Sequence, residues 1–225
     1  KLTPDRRDPR LVRRLGEGAS SEVWLAEDAS GASVALKVAR GEEHAARLAE
    51  EAQRLLIADS PHLAGVTDAG RFHRAVPTPD GRTLARRTAW IALEWIAGEP
   101  LRPDEVPPSE RTTLAFVVAR DVGAALADLH ACGTAHGDVK PANVMVTGRG
   151  ARARARLIDL GLAEDVQAPV PRGGTLRYLA PEVVASPGAG DAAARDRWAL
   201  GLTLAEIASA RAAGAERPWE QLDDV

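Results

Sequence analysis

Lysine and asparagine are nearly absent from this chain. Of its 29 basic residues all but Lys1, Lys37 and Lys140 are arginine, and the single asparagine is Asn143. Arginine replaces lysine readily on a solvated surface but not where a compact ammonium must meet one point, so the positions that keep lysine carry information. Cysteine occurs once, at Cys132, which excludes an intramolecular disulfide and fits a reducing, cytoplasmic setting. No apolar run is long enough to cross a bilayer and no window has the form of a secretory leader, so no membrane contact is expected within this segment. A formal net charge of -3 leaves no basic footprint for nucleic acid. The densest basic stretch, Arg149 to Arg156, alternates with alanine and reads as the wet face of a strand or hairpin. The chain opens on Lys1 rather than methionine, so it reads as a piece of a longer protein whose further domains lie outside it.

What is present is enough for one large domain or two small lobes: 225 residues, 45% hydrophobic. The first ten residues, with Pro4 and Pro9, read as a lead-in. From Leu11 to Val38 apolar residues alternate around turns at Gly16-Glu17-Gly18 and Ser30-Gly31. This predicts antiparallel strands with Val23, Leu25, Val34, Leu36 and Val38 pointing inward. Gly41 to Asp59 reads as a helix, and Leu63 to Phe72 and Ala89 to Ile96 as two further strands. Between these, Pro77, Pro79 and Asp80-Gly81 mark a turn or long hairpin. Gly98 to Pro108 reads as a connector, after which Ser109 is placed to cap a long helix with the stripe Leu114, Val118, Val122, Leu126 and Leu129. Beyond Cys132-Gly133 the chain is irregular, with short apolar runs at Val144 to Val146 and Leu157 to Ile158 and an extended loop from Gly161 to Tyr178. A last helix, from about Arg195 to Ala210, carries Trp198, Leu202, Ala205 and Ile207 at helical spacing.

Four segments carry chemistry. Leu15-Gly16-Glu17-Gly18-Ala19-Ser20-Ser21-Glu22-Val23 is a glycine turn between strands, in which backbone N–H groups can approach phosphates with no Cβ in the way. Because a strand follows and not a helix, the dinucleotide-binding fingerprint is excluded. Lys37, in Val34-Ala35-Leu36-Lys37, needs a carboxylate to hold it. In the following helix Glu50 falls with Arg47 and Arg54 on the wet face, whereas Glu51 falls on the stripe of Leu48 and Leu55 and there needs a partner, which Lys37 can be. In His136-Gly137-Asp138-Val139-Lys140-Pro141-Ala142-Asn143 an aspartate can accept a hydroxyl proton, a lysine can steady a phosphoryl group, and an amide oxygen suits Mg²⁺. Asp159-Leu160-Gly161, behind Leu157-Ile158, offers a second Mg²⁺ carboxylate at a strand end.

In this order and at these separations the segments resemble the eukaryotic-type (Hanks-type) Ser/Thr protein kinase domains of bacteria, from about Leu11 onward. The resemblance implies an α+β, bilobal protein-kinase-like fold: a β-rich N-terminal lobe with one helix over 1–96, and a mainly helical C-terminal lobe over 97–225, truncated after its central helix. It implies ATP and Mg²⁺ as cofactors, protein substrates, and transfer of the γ-phosphoryl group to Ser or Thr. By that likeness Lys37 and Glu51 are the ion pair joining strand and helix. Leu15 through Ser21, Val23 and Ala35 line the nucleotide, Leu93 is the gatekeeper, and Glu94-Trp95-Ile96 is the hinge whose backbone holds adenine. Asp138 is the catalytic base with Lys140 beside it, and Asn143 and Asp159 are the metal ligands. Gly174-Thr175, Tyr178 and Ala180-Pro181-Glu182 match the substrate side of the activation segment. Asp196-Arg197-Trp198-Ala199-Leu200-Gly201 matches a buried helix under the catalytic loop. Both internal lysines and the lone asparagine thus fall where this chemistry demands them.

Two enzyme or binding alternatives share parts of the pattern. His-Gly-Asp also resembles small-molecule phosphotransferases, which generally lack counterparts of Lys140 and Ala180-Pro181-Glu182. A nucleotide-binding pseudokinase would fit Ser21, which stands where a third glycine is usual, but not the intact Lys37, Asp138, Asn143 and Asp159. Gly137 stands where many family members carry the arginine that pairs with a phosphorylated activation segment, so control by such phosphorylation is not expected. The apolar, Pro-rich stretch Ala168 to Pro171 is instead expected to fold unaided or with a partner domain. No residue is assignable as the arginine partner of Glu182, and an apolar face exposed after Trp219 is expected to lower solubility. His44, His62, His73 and His130 are expected to be surface or packing residues, and His136 to buttress the catalytic loop.

Overall fold

The computed structural model describes residues 8–168, 173–185 and 191–209. The chain divides into two compact units, one comprising Lys1–Asp59 and Ala64–Ile96, the other Ser60–Leu63 and Ala97–Val225. The expectations for residues 169–171 and for everything after Ser209 fall outside the described residues.

The first unit is built on five antiparallel strands, β1 (Arg10–Glu17), β2 (Ser21–Glu27), β3 (Ser33–Ala39), β4 (Val66–Arg71) and, after the short β5 (Val76–Pro77) and β6 (Thr83–Leu84), β7 (Ala89–Glu94). Helix α1 (Ala45–Ala58) lies between β3 and β4, entered through a 3-10 turn at Glu42–His44. The sheet order is β1-β2-β3-β7-β4. In β2 and β3 the register pairs Trp24 with Leu36 and Ala26 with Val34, and Val23 with Lys37 and Leu25 with Ala35. Since successive side chains alternate between faces, these are two separate surfaces. One packs Trp24, Ala26, Val34, Leu36, Val38, Phe72, Trp90 and Ala92 into the core together with Val76 and Leu84 of the β5–β6 hairpin. The other carries Val23, Leu25, Ala35 and Lys37, and across the ladder to β7 it continues with Ile91 and Leu93. Val23 and Leu25 are therefore not core residues as expected. Alternation in β2 has two readings, and Trp24, fully buried, decides for the other one.

The expected hairpin between β4 and β7 is present. Thr78 N–H donates to Arg82 O at 2.8 Å and Gly81 N–H to Thr78 O at 3.0 Å, with Gly81 at φ +85°. Only glycine adopts that conformation without strain, so Pro79-Asp80-Gly81 is turn chemistry.

The second unit opens with β8 (Glu99–Pro100) and a 3-10 turn at Pro103–Glu105, followed by α2 (Pro108–Ala131), β9 (Thr134–Ala135), β10 (Val144–Thr147), β11 (Arg154–Leu157), β12 (Glu164–Asp165), α3 (Pro181–Ala185) and α4 (Ala192–Ser209). The connector is thus partly ordered as a strand, β8 pairing with β10 through Pro100 and Met145. Ser109 does not cap α2: the helix starts one residue earlier at Pro108, and its cap, Pro107, makes no side-chain hydrogen bond. Proline's preset φ and missing N–H suit the first helical position, and this moves the start ahead of the serine. Val117, Val118, Val122, Ala125, Leu126 and Leu129 are buried along α2, with Leu114 half-buried. Ser60–Leu63 joins this unit through Ser60 Oγ, which donates to Asp128 Oδ2 at 2.6 Å, and through Leu157 N–H, which donates to His62 O at 2.9 Å.

Helix α4 departs most from expectation. Trp198 and Leu202 are half-buried and Ala205 is exposed. Ile207 is buried as expected, but the rest of the buried side holds Ala192, Arg195, Asp196, Ala199, Thr203 and Glu206. A helix turns such groups inward only where they find polar partners.

Candidate active site

In the first unit, Lys37 and Glu51 meet as their positions on β3 and α1 require. Lys37 Nζ donates to Glu51 Oε1 at 2.8 Å and Oε2 at 2.7 Å, with Lys37 5% and Glu51 2% exposed. Glu50, one residue earlier, is exposed and pairs with Arg54 at 3.7 Å. Val23, Ala35, Lys37 and Leu93 share one sheet face: Lys37 pairs across the ladder with Val23, and Ala35 with Leu93. At the end of β7, Glu94 N–H donates to Gly65 O at 2.8 Å, and Trp95 and Ile96 follow outside the strand.

The glycine loop bridges β1 and β2. Gly18 N–H donates to Ser21 O at 2.8 Å, and Arg40, just past β3, holds the loop twice: its N–H donates to Ser20 O and its guanidinium to Gly18 O, both at 3.0 Å. Neither Gly16 nor Gly18 has a positive φ. A Cβ at Gly16 would meet no protein atom within 4 Å, and one at Gly18 only Ser21 O at 3.8 Å. Nothing in the protein's own packing requires glycine at either place.

In the second unit, the segment 136–143 forms a hydrogen-bonded knot around Asp138. Asp138 Oδ1 accepts the Thr175 hydroxyl at 2.9 Å and the Thr175 N–H at 3.1 Å, while Oδ2 accepts Lys140 Nζ at 2.6 Å and Asn143 Nδ2 at 3.1 Å. Lys140 Nζ also donates to Thr175 Oγ1 at 2.8 Å. His136 is fully buried; its Nδ1 accepts Asp138 N–H at 3.2 Å, which assigns the proton to Nε2, donating to Ile158 O at 3.0 Å. The expected buttressing role is met.

Asn143 and Asp159 stand at the same end of the β10–β11 hairpin. Val144 pairs with Leu157, and Ile158 N–H donates to Asn143 O at 2.9 Å. Asn143 Nδ2 is engaged by Asp138 O at 2.8 Å as well as by Oδ2. Its amide oxygen is therefore the atom that would take a cation. Asp159 adopts a left-handed φ of +69° and accepts Gly161 N–H at 3.1 Å. Among the described residues no group of three or more His, Cys, Asp or Glu could hold a metal by itself. Two hard oxygen donors suit Mg²⁺, which keeps waters and phosphate oxygens in its shell.

Of the residues that hold this arrangement from beneath, the resemblance pointed to Asp196 on its helix and to Tyr178, whereas sequence reasoning did not single out Arg195, Glu164 and Glu206. Asp196, 1% exposed, accepts the backbone N–H groups of His136 at 2.8 Å and Gly137 at 2.9 Å, and His130 Nε2 at 2.8 Å. His130 is thus part of the support and not an ordinary packing residue. Next to Asp196, Arg195 forms a buried ion pair with Glu164 at 2.6 Å and donates to Ala168 O at 3.1 Å. Tyr178 donates to both oxygens of Glu206, whose carboxyl is pushed up chiefly by burial. No sequence period marks these groups, because each finds its partner across 27 to 66 residues. Gly137 has φ +79°, and a Cβ there would lie 2.6 Å from the carbonyl oxygen of Leu162.

Residues 10–221 match the protein kinase domain family. The chain is 32% identical over 220 residues to serine/threonine-protein kinase PknA of Corynebacterium glutamicum, covering 91% of this chain and 43% of that protein. It is 33% identical over 214 residues to the probable serine/threonine-protein kinase PkwA of Thermomonospora curvata, covering 90% of this chain and 26% of the relative. Over 215 residues it is 32% identical to PknA of Mycobacterium tuberculosis, covering 90% and 47%. The chain spans less than half the length of each of these relatives. With the match running through both units and through every segment built above, the chain belongs to the protein kinase domain family.

Proposed function

We propose that this chain is an active Ser/Thr protein kinase domain that transfers the γ-phosphoryl group of ATP to a hydroxyl of a protein substrate. The observation that carries the reading is Asp138 Oδ1 accepting an alcohol O–H, that of Thr175, at 2.9 Å, with the Lys140 ammonium 2.8 Å from the same oxygen. A substrate hydroxyl offered to that carboxylate would meet the same two groups. Asp138 would orient it and accept its proton as the oxygen bonds to phosphorus and the bond to the leaving ADP oxygen breaks. Lys140 would steady the negative charge on the transferring group.

The first unit supplies nucleotide-binding groups on this reading. Gly16 and Gly18, which the fold itself does not need, leave the loop backbone open to phosphates. Lys37, held by Glu51, neutralises phosphate oxygens. Val23, Ala35 and Leu93 offer the apolar face for adenine, with Ile96 N–H and the Glu94 carbonyl as its hydrogen-bonding edge, since the Glu94 N–H is engaged by Gly65. Asn143 and Asp159 would hold Mg²⁺, which when bound neutralises charge on the phosphates.

The test is a pair of measurements on wild type and Asp138→Asn. Both should show a thermal shift with ATP and Mg²⁺, and only wild type should label a protein substrate or itself, with sites mapped by mass spectrometry. Equal labelling by the two proteins, or a shift in neither, sinks the proposal.

A further inference from the structure

Glu22 is a buried carboxylate at the root of the glycine loop, and no catalytic step uses it. It follows Ser21 directly, and its ladder partners are Glu17 at the end of β1 and Val38 on β3. By alternation its side chain leaves the sheet on the face of Trp24 and Ala26, opposite that of Val23 and Lys37. It is 5% exposed. A carboxylate so placed needs a cation.

That cation comes from the β5–β6 hairpin. Arg82 donates to both oxygens of Glu22, Nη1 to Oε1 and Nη2 to Oε2, each at 2.8 Å. The guanidinium is itself fixed. Asp80 Oδ2 accepts from its Nε at 3.2 Å and Nη2 at 3.0 Å, and its carbon lies 5.9 Å from the centroid of the Trp24 ring. Asp80 is locked in turn by the hydroxyl of Thr78, which with Arg82 holds its carboxyl down to about 2. Glu22 is likewise held below the ordinary carboxylate range, chiefly by its bonds to Arg82, with Arg40 and Arg14 adding to the pull. Arg14 pairs with Glu17 on the other stem of the loop and reaches Asp80 at 3.9 Å.

We infer that the β5–β6 hairpin is a strut for the nucleotide loop, with Arg82 and Glu22 as positioning residues that set the loop's angle from the face away from the nucleotide. The inference rests on the nucleotide-binding reading of that loop. A planar fork on a carboxylate fixes direction as well as distance, which a lysine ammonium does not. Backbone N–H groups aimed at phosphates lose binding steeply when misdirected. The strut thus acts on ATP affinity and leaves Asp138 untouched.

The experiment measures affinity for a fluorescent ADP analogue with Mg²⁺, hydrogen exchange over residues 16–22, melting temperature, and KM for ATP against kcat. The intact chain is compared as wild type, Arg82→Ala, Arg82→Lys, Glu22→Gln and the Glu22→Gln/Arg82→Ala pair. Expected are affinities about tenfold weaker in Arg82→Ala and Glu22→Gln, a pair no weaker than either single variant, and partial rescue by Arg82→Lys. KM for ATP should rise about tenfold while kcat stays within about twofold. Exchange over 16–22 should quicken. Unchanged affinity in both Arg82→Ala and Glu22→Gln overturns the strut, even if the melting temperature falls. If Arg82→Ala fails to fold, Glu22→Gln, which keeps the shape, decides alone. A wild type that binds no nucleotide would overturn the kinase reading itself and the strut with it.

Discussion

The hydroxyl of Thr175 lies 2.9 Å from Asp138 Oδ1 and 2.8 Å from Lys140 Nζ, so Thr175 closes onto the 136–143 segment, reaching Asp138 37 residues before it. Thr175 is half-buried, and its oxygen is occupied by both partners. Replacing it removes a bond to the proposed base itself. Thr175→Val is expected to lower kcat by about 10- to 100-fold with little change in KM for ATP, and Thr175→Glu to do no better, because its carboxylate would face Asp138. Treating wild type with a phosphatase should leave its rate within about twofold, whereas a large loss would show that a phosphate on the segment is needed.

Removing Glu51 leaves an ammonium buried without its carboxylate. Breaking such a pair costs about 3–5 kcal/mol, so Glu51→Ala should melt on the order of 10 °C below wild type by calorimetry. Lys37→Met takes the ammonium from both oxygens of the buried Glu51 carboxylate, so it should melt lower by a similar amount as well as abolish phosphoryl transfer. The pair Lys37→Met/Glu51→Ala, which breaks the ion pair without stranding either charge, should lose clearly less than the two single losses added together, and a fully additive loss would argue against this pairing.

Asp196 satisfies two backbone N–H groups of the catalytic loop at once. In Asp196→Asn one amide nitrogen must face a donor, so the variant should lose about 1–3 kcal/mol of stability and more than tenfold in kcat. An asparagine variant with wild-type rate would mean that the loop holds itself.

At Gly137 any side chain meets two penalties, the left-handed backbone and the Leu162 carbonyl 2.6 Å from the Cβ position. Gly137→Ala should therefore lose at least about 1–2 kcal/mol, read as a lowered melting temperature. Gly137→Arg should not gain activity from phosphorylation.

The Glu22–Arg82 pair gives a pH signature with a definite sign. Glu22's folded pKa lies below its ordinary value of 4.5, so the ionised carboxylate favours the folded state. The stability it contributes is full above that ordinary value and is lost as pH falls through the lowered one. With Arg82 partly exposed, the melting gap between wild type and Arg82→Ala should be only about 2–4 °C at neutral pH. It should hold down to about pH 4.5 and close below it. A gap that widens in acid would contradict the pairing.

The candidate site was legible where chemistry narrows the choice of residue. Lys37, Lys140 and Asn143 could be found because arginine or another amide elsewhere in the chain does not substitute for them. Glu51 could be told from Glu50 by helical spacing alone, since only one of two neighbours on α1 can face the sheet. Alternation along β2 was visible too, but its phase was not. Val23 and Leu25 are as apolar as the residues that actually fill the core, and only Trp24, packed with the β5–β6 hairpin, decides which face is buried. The start of α2 was misplaced for a related reason, as Ser109 and Pro108 are both good helix openers and the chain uses the proline.

By itself the sequence determined which groups are available and how they are spaced: two lysines, an aspartate with an asparagine five residues on, an Asp-Leu-Gly turn, and a pair of glycines in a turn between strands. Local periodicity and residue chemistry suffice for that, because helices and strands place side chains by rules that run over a few positions. The resemblance placed Asp196 on a helix under the 136–143 segment, but only the tertiary structure decided which atoms the supports hold: Asp196 the N–H groups of His136 and Gly137, Arg195 the Glu164 carboxylate, and Arg82 the Glu22 carboxylate. Each joins a buried charge to a partner dozens of residues away, and such a pairing leaves no period in the chain. Folding alone brings the partners within hydrogen-bonding distance.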